Sequence, residues 1–206
     1  MTHFVKFVYH SEFMLTLHVF KYTIKIKRTQ VCNRRMEGDG NNMKEYIWLL
    51  PVIFMFHDME EIIGIKRWIS KYGENLENKY KLAKKILSPY KNITTEGFAL
   101  AVYEELIVLL TICLLSQFTA IFFIQAIWFG CFVGFSVHLV IHIIQAIVIR
   151  KYTPALITSI ICLPISLVIV TKCACFIRTD ISILGIVIGI VGVGVNLKLA
   201  HKLMKF

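Results

Sequence analysis

Residues 46–65, YIWLLPVIFMFHDMEEIIGI, form an apolar run of membrane-crossing length that carries His57, Asp58, Glu60 and Glu61 inside it. An ionisable side chain in hydrocarbon costs several kcal/mol unless it is paired, metal-bound or wetted, so such residues mark a functional site by default. Later runs repeat the pattern. Glu104 and Glu105 interrupt FALAVYEELIVLLTICLL, and His138 and His142 interrupt VGFSVHLVIHIIQAIVI. The three runs together predict a small all-α, polytopic membrane bundle built around a buried His/carboxylate cluster.

Composition agrees with that class. Hydrophobic residues make up 57% of the 206 positions, and several apolar stretches approach the roughly 20 residues that a crossing needs. The expected transmembrane helices, about five, lie near 46–65, 97–117, 120–149, 154–171 and 181–200 in one membrane domain, 43–206. The third is longer than a crossing requires, so it must tilt, kink near Gly130 or Gly134, or leave the lipid. Pro51 and Pro164 are tolerable, because neighbouring helices can satisfy the carbonyls they free.

Orientation follows from the basic residues. Lys66, Arg67, Lys71, Lys79, Lys81, Lys84, Lys85 and Lys91 crowd the connection after the first span, which places the loop 66–96 in the cytoplasm. Arg150 and Lys151, then Lys198, Lys202 and Lys205, fall on the same side with five crossings. The second half of that loop reads as an amphipathic surface segment, with Leu82, Ile86 and Tyr90 on one face and lysines toward lipid head groups. Topology accounts for this charge and no nucleic-acid motif accompanies it, so no nucleic-acid partner is expected. The lipid bilayer is the expected partner.

The first 42 residues carry a net charge of +4 on the side expected to face outward, which opposes this orientation. Their apolar patch FMLTLHVF is too short to span and has no cleavage site behind it. They read as a basic extension, non-native or disordered, with the working chain of a bacterial cell-membrane protein starting at Met43. From there the net charge is +6.

The ionisable groups share a depth. His57 lies about 13 Å above Lys66 along a helix, and Glu104, Glu105 and His142 lie at comparable distances from the basic ends of their spans, about 10–14 Å. His57 with Glu60 is an i,i+3 pair and with Glu61 an i,i+4 pair, so both carboxylates can share the imidazole's face. His138, His142 and Gln145 should line one side of the third span. Glu104 and Glu105 diverge by about 100°, so one of them points inward. Two imidazoles and two or more carboxylates suit zinc, iron or manganese. The expected metal ligands are His57, Glu61, Glu105 and His142, with Glu60 or Glu104 as catalytic base or orienting acceptor. Asp58 has the plainer option of pairing with Lys66 or Arg67, and His138 that of an interhelical hydrogen bond.

Other features carry less. Cys113, Cys131 and Cys162 read as small apolar fillers, and the i,i+2 spacing of Cys173 and Cys175 disfavours a mutual disulfide. Gly185 and Gly189 form a small-xxx-small surface suited to bundle closure or to dimerisation.

The segments HDMEE at 57–61 with Trp68, FALAVYEE at 98–105, and His142 followed by RKYTPALITS at 150–159 resemble the family of integral-membrane proteins of unknown function that takes its name from the HXXEE motif. The resemblance covers about residues 46–170. It implies a metal-binding or catalytic site at His57, Glu60, Glu61, Glu104 or Glu105, and His142. The family often continues the Tyr-x-Pro turn with Pro-Gly, where this chain has Pro154-Ala155.

The leading expectation is a metal-dependent, hydrolase-like enzyme acting on a lipid or other membrane-embedded substrate, in which bound water is made more acidic. No serine elbow, nucleotide-binding glycine loop or zincin motif is present, and neither nucleotide nor haem is expected. The alternatives are a proton or divalent-cation transporter, for which no inverted repeat is visible, and a non-catalytic membrane partner protein.

Overall fold

A computed structural model describes residues 43–79, 87, 90, 93–119, 121–177, 183–189, 191–192 and 195. The basic extension 1–42 and the lysines at 81, 84, 85, 91, 198, 202 and 205 lie outside the described residues. A short 3-10 turn, Met43–Glu45, leads into α1 (Leu49–Lys79), α2 (Thr95–Phe118), α3 (Phe122–Ile149) and α4 (Leu156–Cys173). Residues 183–189 form a further helix, α5. Among the described residues the regular structure is helical throughout.

The apolar runs become helices because a backbone shielded from water must satisfy its own hydrogen bonds, and the helical ladder does so within one segment. Their limits follow local chemistry. Thr94 caps α2 by accepting the Gly97 N–H through its hydroxyl at 2.9 Å, and α3 stops where Arg150 turns into the left-handed region at φ 55°. Helices α2, α3 and α4 are each long and apolar enough to cross a membrane. In α1 the apolar half is broken by Asp58, Glu60 and Glu61.

One expectation needs correction. The first helix does not end at Lys66 but continues to Lys79, so residues 66–79 are a helical extension and not a loop. At 31 residues and about 1.5 Å each, α1 is longer than a bilayer's hydrocarbon core, and the charged end continues the same ladder. The long third run is one continuous helix, and Gly130 has a packing role. A Cβ at Gly130 would stand 2.1 Å from the Gly185 carbonyl oxygen, and one at Gly185 would stand 2.3 Å from that of Ala126. Ala126 and Gly130 on α3 thus meet Gly185 and Gly189 on α5 backbone to backbone, and the glycine stripe closes the bundle within the chain.

The distribution of polarity is the reverse of a water-soluble domain. Val52, Phe56, Ile107, Ile147 and Val168 are exposed, while Ser116, Ser159, Ser166 and His57 are fully buried. So much outward apolar surface fits lipid contact. The start of α1 is fixed by the Ile47 carbonyl, which accepts the Trp128 indole N–H at 3.2 Å. Its lower half is fixed against the turn between α3 and α4. Gly64 lies against Pro154, where an added Cβ would come within 3.2 Å of the proline ring, and the Trp68 indole N–H donates to the Tyr152 carbonyl at 2.7 Å. Between these two anchors lies the motif.

Candidate functional site

His57 is fully buried, with its Nδ1 3.1 Å from the Thr158 hydroxyl on α4. That hydroxyl has one proton to give, and its shortest contact is the Glu60 carboxylate at 2.7 Å. A carboxylate is the strongest acceptor within reach, so Thr158 donates to Glu60 and receives the His57 Nδ1–H. This fixes the tautomer. The lone pair of His57 Nε2 is left facing the bundle interior, buried and without a hydrogen-bond partner. Metal-binding histidines are oriented in this way, by an acceptor on the other ring nitrogen.

Glu60 is fully committed to that support. Besides the Thr158 hydroxyl it accepts the Thr158 N–H at 2.8 Å, the Ile157 N–H at 3.3 Å and the Tyr152 hydroxyl. Partial burial, the hydrogen bond to Glu60 and its negative charge push the Tyr152 phenol up to about 12. Its lone pairs hold the first turn of α4, so of the two roles expected for Glu60, base or orienting acceptor, its contacts describe the acceptor.

Two histidines of α3 complete a ring cluster. The His57 ring centroid is 5.3 Å from that of His138 and 5.0 Å from that of His142, and the latter two are 4.4 Å apart, all edge to face. His138 Nε2 and His142 Nε2 approach to 2.9 Å. Two nitrogens each about 2.0–2.1 Å from one zinc ion stand roughly 2.9–3.4 Å apart at ordinary ligand angles, so this pair has the spacing of neighbouring ligands. One ring nitrogen from each of His57, His138 and His142 falls within a 4.8 Å group. Gln145 departs from expectation: it is exposed on α3.

The carboxylates approach from the other side. Glu61 Oε1 is 3.5 Å from His142 Nε2, and Asp58, Glu61 and His138 form a second group with donor atoms within 4.8 Å of one another. Asp58 does not pair with Lys66 or Arg67, because it is 3% exposed and turned inward, with Oδ2 lacking a hydrogen-bond partner. Glu105 on α2 is close enough to Asp58 and Glu61 to interact with both charges. Glu104 interacts with Glu105, and its Oε2 is buried without a partner.

The structure thus brings His57, Glu61 and His142 together, sets Glu105 beside the acids and Glu104 one step further out. It adds Asp58 and His138 as equal members. Thr158 and Tyr152 were not visible as site residues in the sequence, although both lie in the RKYTPALITS segment. Cys113, Cys131, Cys162 and Cys173 are free and buried. The residues fit a divalent ion on chemical grounds: imidazole and carboxylate donors, two of them with buried atoms that nothing in the protein satisfies, His57 Nε2 and Asp58 Oδ2.

A family model described as a protein of unknown function with HXXEE motif matches residues 48–169, a segment that includes every residue of the cluster and its support. No curated protein and no solved structure matches the chain.

Proposed function

The chain belongs to the HXXEE-motif family, and on that footing we propose that it is a membrane-embedded, metal-dependent enzyme of hydrolytic type acting on a lipid or another membrane-held substrate. The observation that supports this reading is the convergence of three imidazoles and two carboxylates from α1 and α3 on one buried volume, with His57 Nε2 and Asp58 Oδ2 unsatisfied. Leaving these two atoms buried and unpaired costs about 1–3 kcal/mol each, a cost that a bound ion would remove.

In this reading α1 crosses the membrane with α2, α3 and α4, and its charged extension lies on the cytoplasmic side with Arg150 and Lys151. His57, His138, His142 and Glu61 would hold a zinc, iron or manganese ion, with Asp58 and Glu105 beside them. Such an ion supplies Lewis acidity and makes a nearby water more acidic. The chain's own residues supply the rest. Thr158 and Glu60 keep His57 in the tautomer that presents Nε2. The exposed apolar faces of the helices keep the site within reach of lipid and shielded from bulk water. Glu104, whose Oε2 is buried and has no hydrogen-bond partner, remains the carboxylate suited to accept a proton, because Glu60 is occupied.

Elemental analysis of the full chain, purified in mild detergent without chelator, should find stoichiometric Zn, Fe or Mn. Metal-stripped and reloaded protein should differ in turnover of phospholipid vesicles, and His57→Ala should abolish that turnover. No metal in gently purified protein refutes the metal reading. Proton or cation flux in proteoliposomes, abolished by His57→Ala and unaccompanied by turnover, would replace hydrolysis by transport.

A further inference from the structure

The donors around the cluster are more than one ion needs, and they are arranged as two triads. One is His57, His138 and His142; the other is Asp58, Glu61 and His138. The first is all imidazole and the second mostly carboxylate, with His138 in both. We propose that the site holds two divalent ions, one at each triad, with His138 between them. This rests on the metal reading above and deepens it.

Charge is the first argument. Asp58 and Glu61 each interact with the other acids around them, Glu105 interacts with both, and Glu104 adjoins Glu105. Lys66 and Arg67, the nearest cations along α1, are exposed and turned away. Carboxylates crowded in a low-dielectric interior repel one another once ionised, and an ion at each triad would offset that repulsion for the acids nearest it.

Unsatisfied atoms give the second argument, because they occur in both triads. His57 Nε2 belongs to the first, and Asp58 Oδ2 to a residue of the second. His57 is fully buried and Asp58 nearly so, and neither atom has access to solvent. A single ion at the imidazole triad would leave Asp58 orphaned. Helical bundles build two-ion sites from carboxylates and imidazoles on facing helices, and α1, α2 and α3 supply that mixture here.

The test is a metal count on the full-length protein in detergent, by elemental analysis and by intact mass under non-denaturing conditions. Two ions per chain are expected. One ion per chain overturns the two-ion inference and leaves the metal reading standing; none overturns both. Asp58→Asn should reduce the count from two to one, and so should His57→Ala through the other triad, while His138→Ala should disturb both ions. Size-exclusion profiles identify any variant that fails to fold. A second measurement needs no variant: wild-type protein loaded with Mn²⁺ should give an exchange-coupled electron-paramagnetic spectrum at two equivalents. An uncoupled six-line signal at that loading overturns the proposal.

Discussion

Thr158→Val removes one oxygen and almost no volume, yet it should disconnect the motif's histidine from its support. In the native chain the hydroxyl receives the His57 Nδ1–H at 3.1 Å and donates to Glu60 at 2.7 Å. Valine leaves the Nδ1–H buried without a partner, which costs about 1–3 kcal/mol. Glu60 keeps the Thr158 and Ile157 N–H groups and the Tyr152 hydroxyl, so its own loss should be at the low end for a charge-assisted bond, about 1.5 kcal/mol. The variant should therefore lose roughly 2.5–4.5 kcal/mol of stability. The second effect is on the tautomer: an imidazole with no acceptor on Nδ1 no longer prefers to offer Nε2. Loss of such an orienting partner weakens metal binding by about 10–100-fold, or about 1.4–2.7 kcal/mol. Competition against a chromophoric chelator would measure the affinity, and Thr158→Ser, which retains the hydroxyl, serves as the control. The reasoning fails if the valine variant is folded and binds metal as tightly as wild type, or if serine loses as much as valine.

Substitutions at four further positions test the frame around the site by thermal or chemical unfolding in detergent. Gly130→Ala should destabilise by roughly 1–3 kcal/mol, because its Cβ would meet the Gly185 carbonyl and force α3 from α5, while Gly192→Ala, with open space around it, should stay within about 0.5 kcal/mol of wild type or gain slightly. Ala155 sits in the left-handed region at φ 68°, a strain of about 1–2 kcal/mol. Ala155→Gly should nonetheless be nearly neutral, since the buried methyl is worth about 0.8 kcal/mol and glycine loosens the unfolded chain by about 0.4–1 kcal/mol. Ala155→Val should cost more than about 2 kcal/mol, because a β-branched residue is a genuine outlier there. Tyr152→Phe should be less stable than wild type at neutral pH. The Tyr152 phenol titrates at about 12 when folded, above its ordinary value near 10, so the stability it adds is fully present below about pH 10 and is lost as pH rises through 12. The two proteins should converge across that window, and a gap that stays constant would refute the Tyr152–Glu60 account.

How much of this was legible depends on the range of the interaction. Helices α2, α3 and α4 follow from long apolar runs, and their observed limits differ from the expected ones by a few residues. The far half of α1 was misread because Lys66 and Arg67 look like a membrane boundary, and a boundary in polarity is not a boundary in the helix. WISKYGENLENK has no proline and only Gly73 against continuation. The inward turn of Asp58 was accessible in principle, since it stands i,i+3 to Glu61. His138 likewise stands i,i+4 to His142. The glycine stripe on α5 found its partner in a spacing equally visible on α3, Ala126-xxx-Gly130. Thr158 could not be found this way, because a threonine in an apolar helix ordinarily bonds its own preceding turn, and only the approach of α4 to α1 brings it under His57.

The motif itself can now be stated as geometry. Glu60 and Glu61 are neighbours in sequence, but on a helix they point about 100° apart, and α1 lies where those two directions meet different helices. The Glu60 direction meets the start of α4, where two backbone N–H groups, a threonine hydroxyl and a tyrosine hydroxyl are waiting for an anion. The Glu61 direction meets His142 on α3, with Asp58 and His138 alongside. His57 lies between them: Nδ1 is tied to Glu60 through Thr158, and Nε2 is open on the side of the histidines. A histidine, an orienting acid and a ligand acid at this spacing are therefore three different roles. Glu60→Gln should act through His57 and the first turn of α4, lowering stability together with metal affinity. Glu61→Gln should lower affinity with little loss of fold. Equal effects from the two substitutions would mean that the acids are interchangeable, and this division of the motif would be wrong.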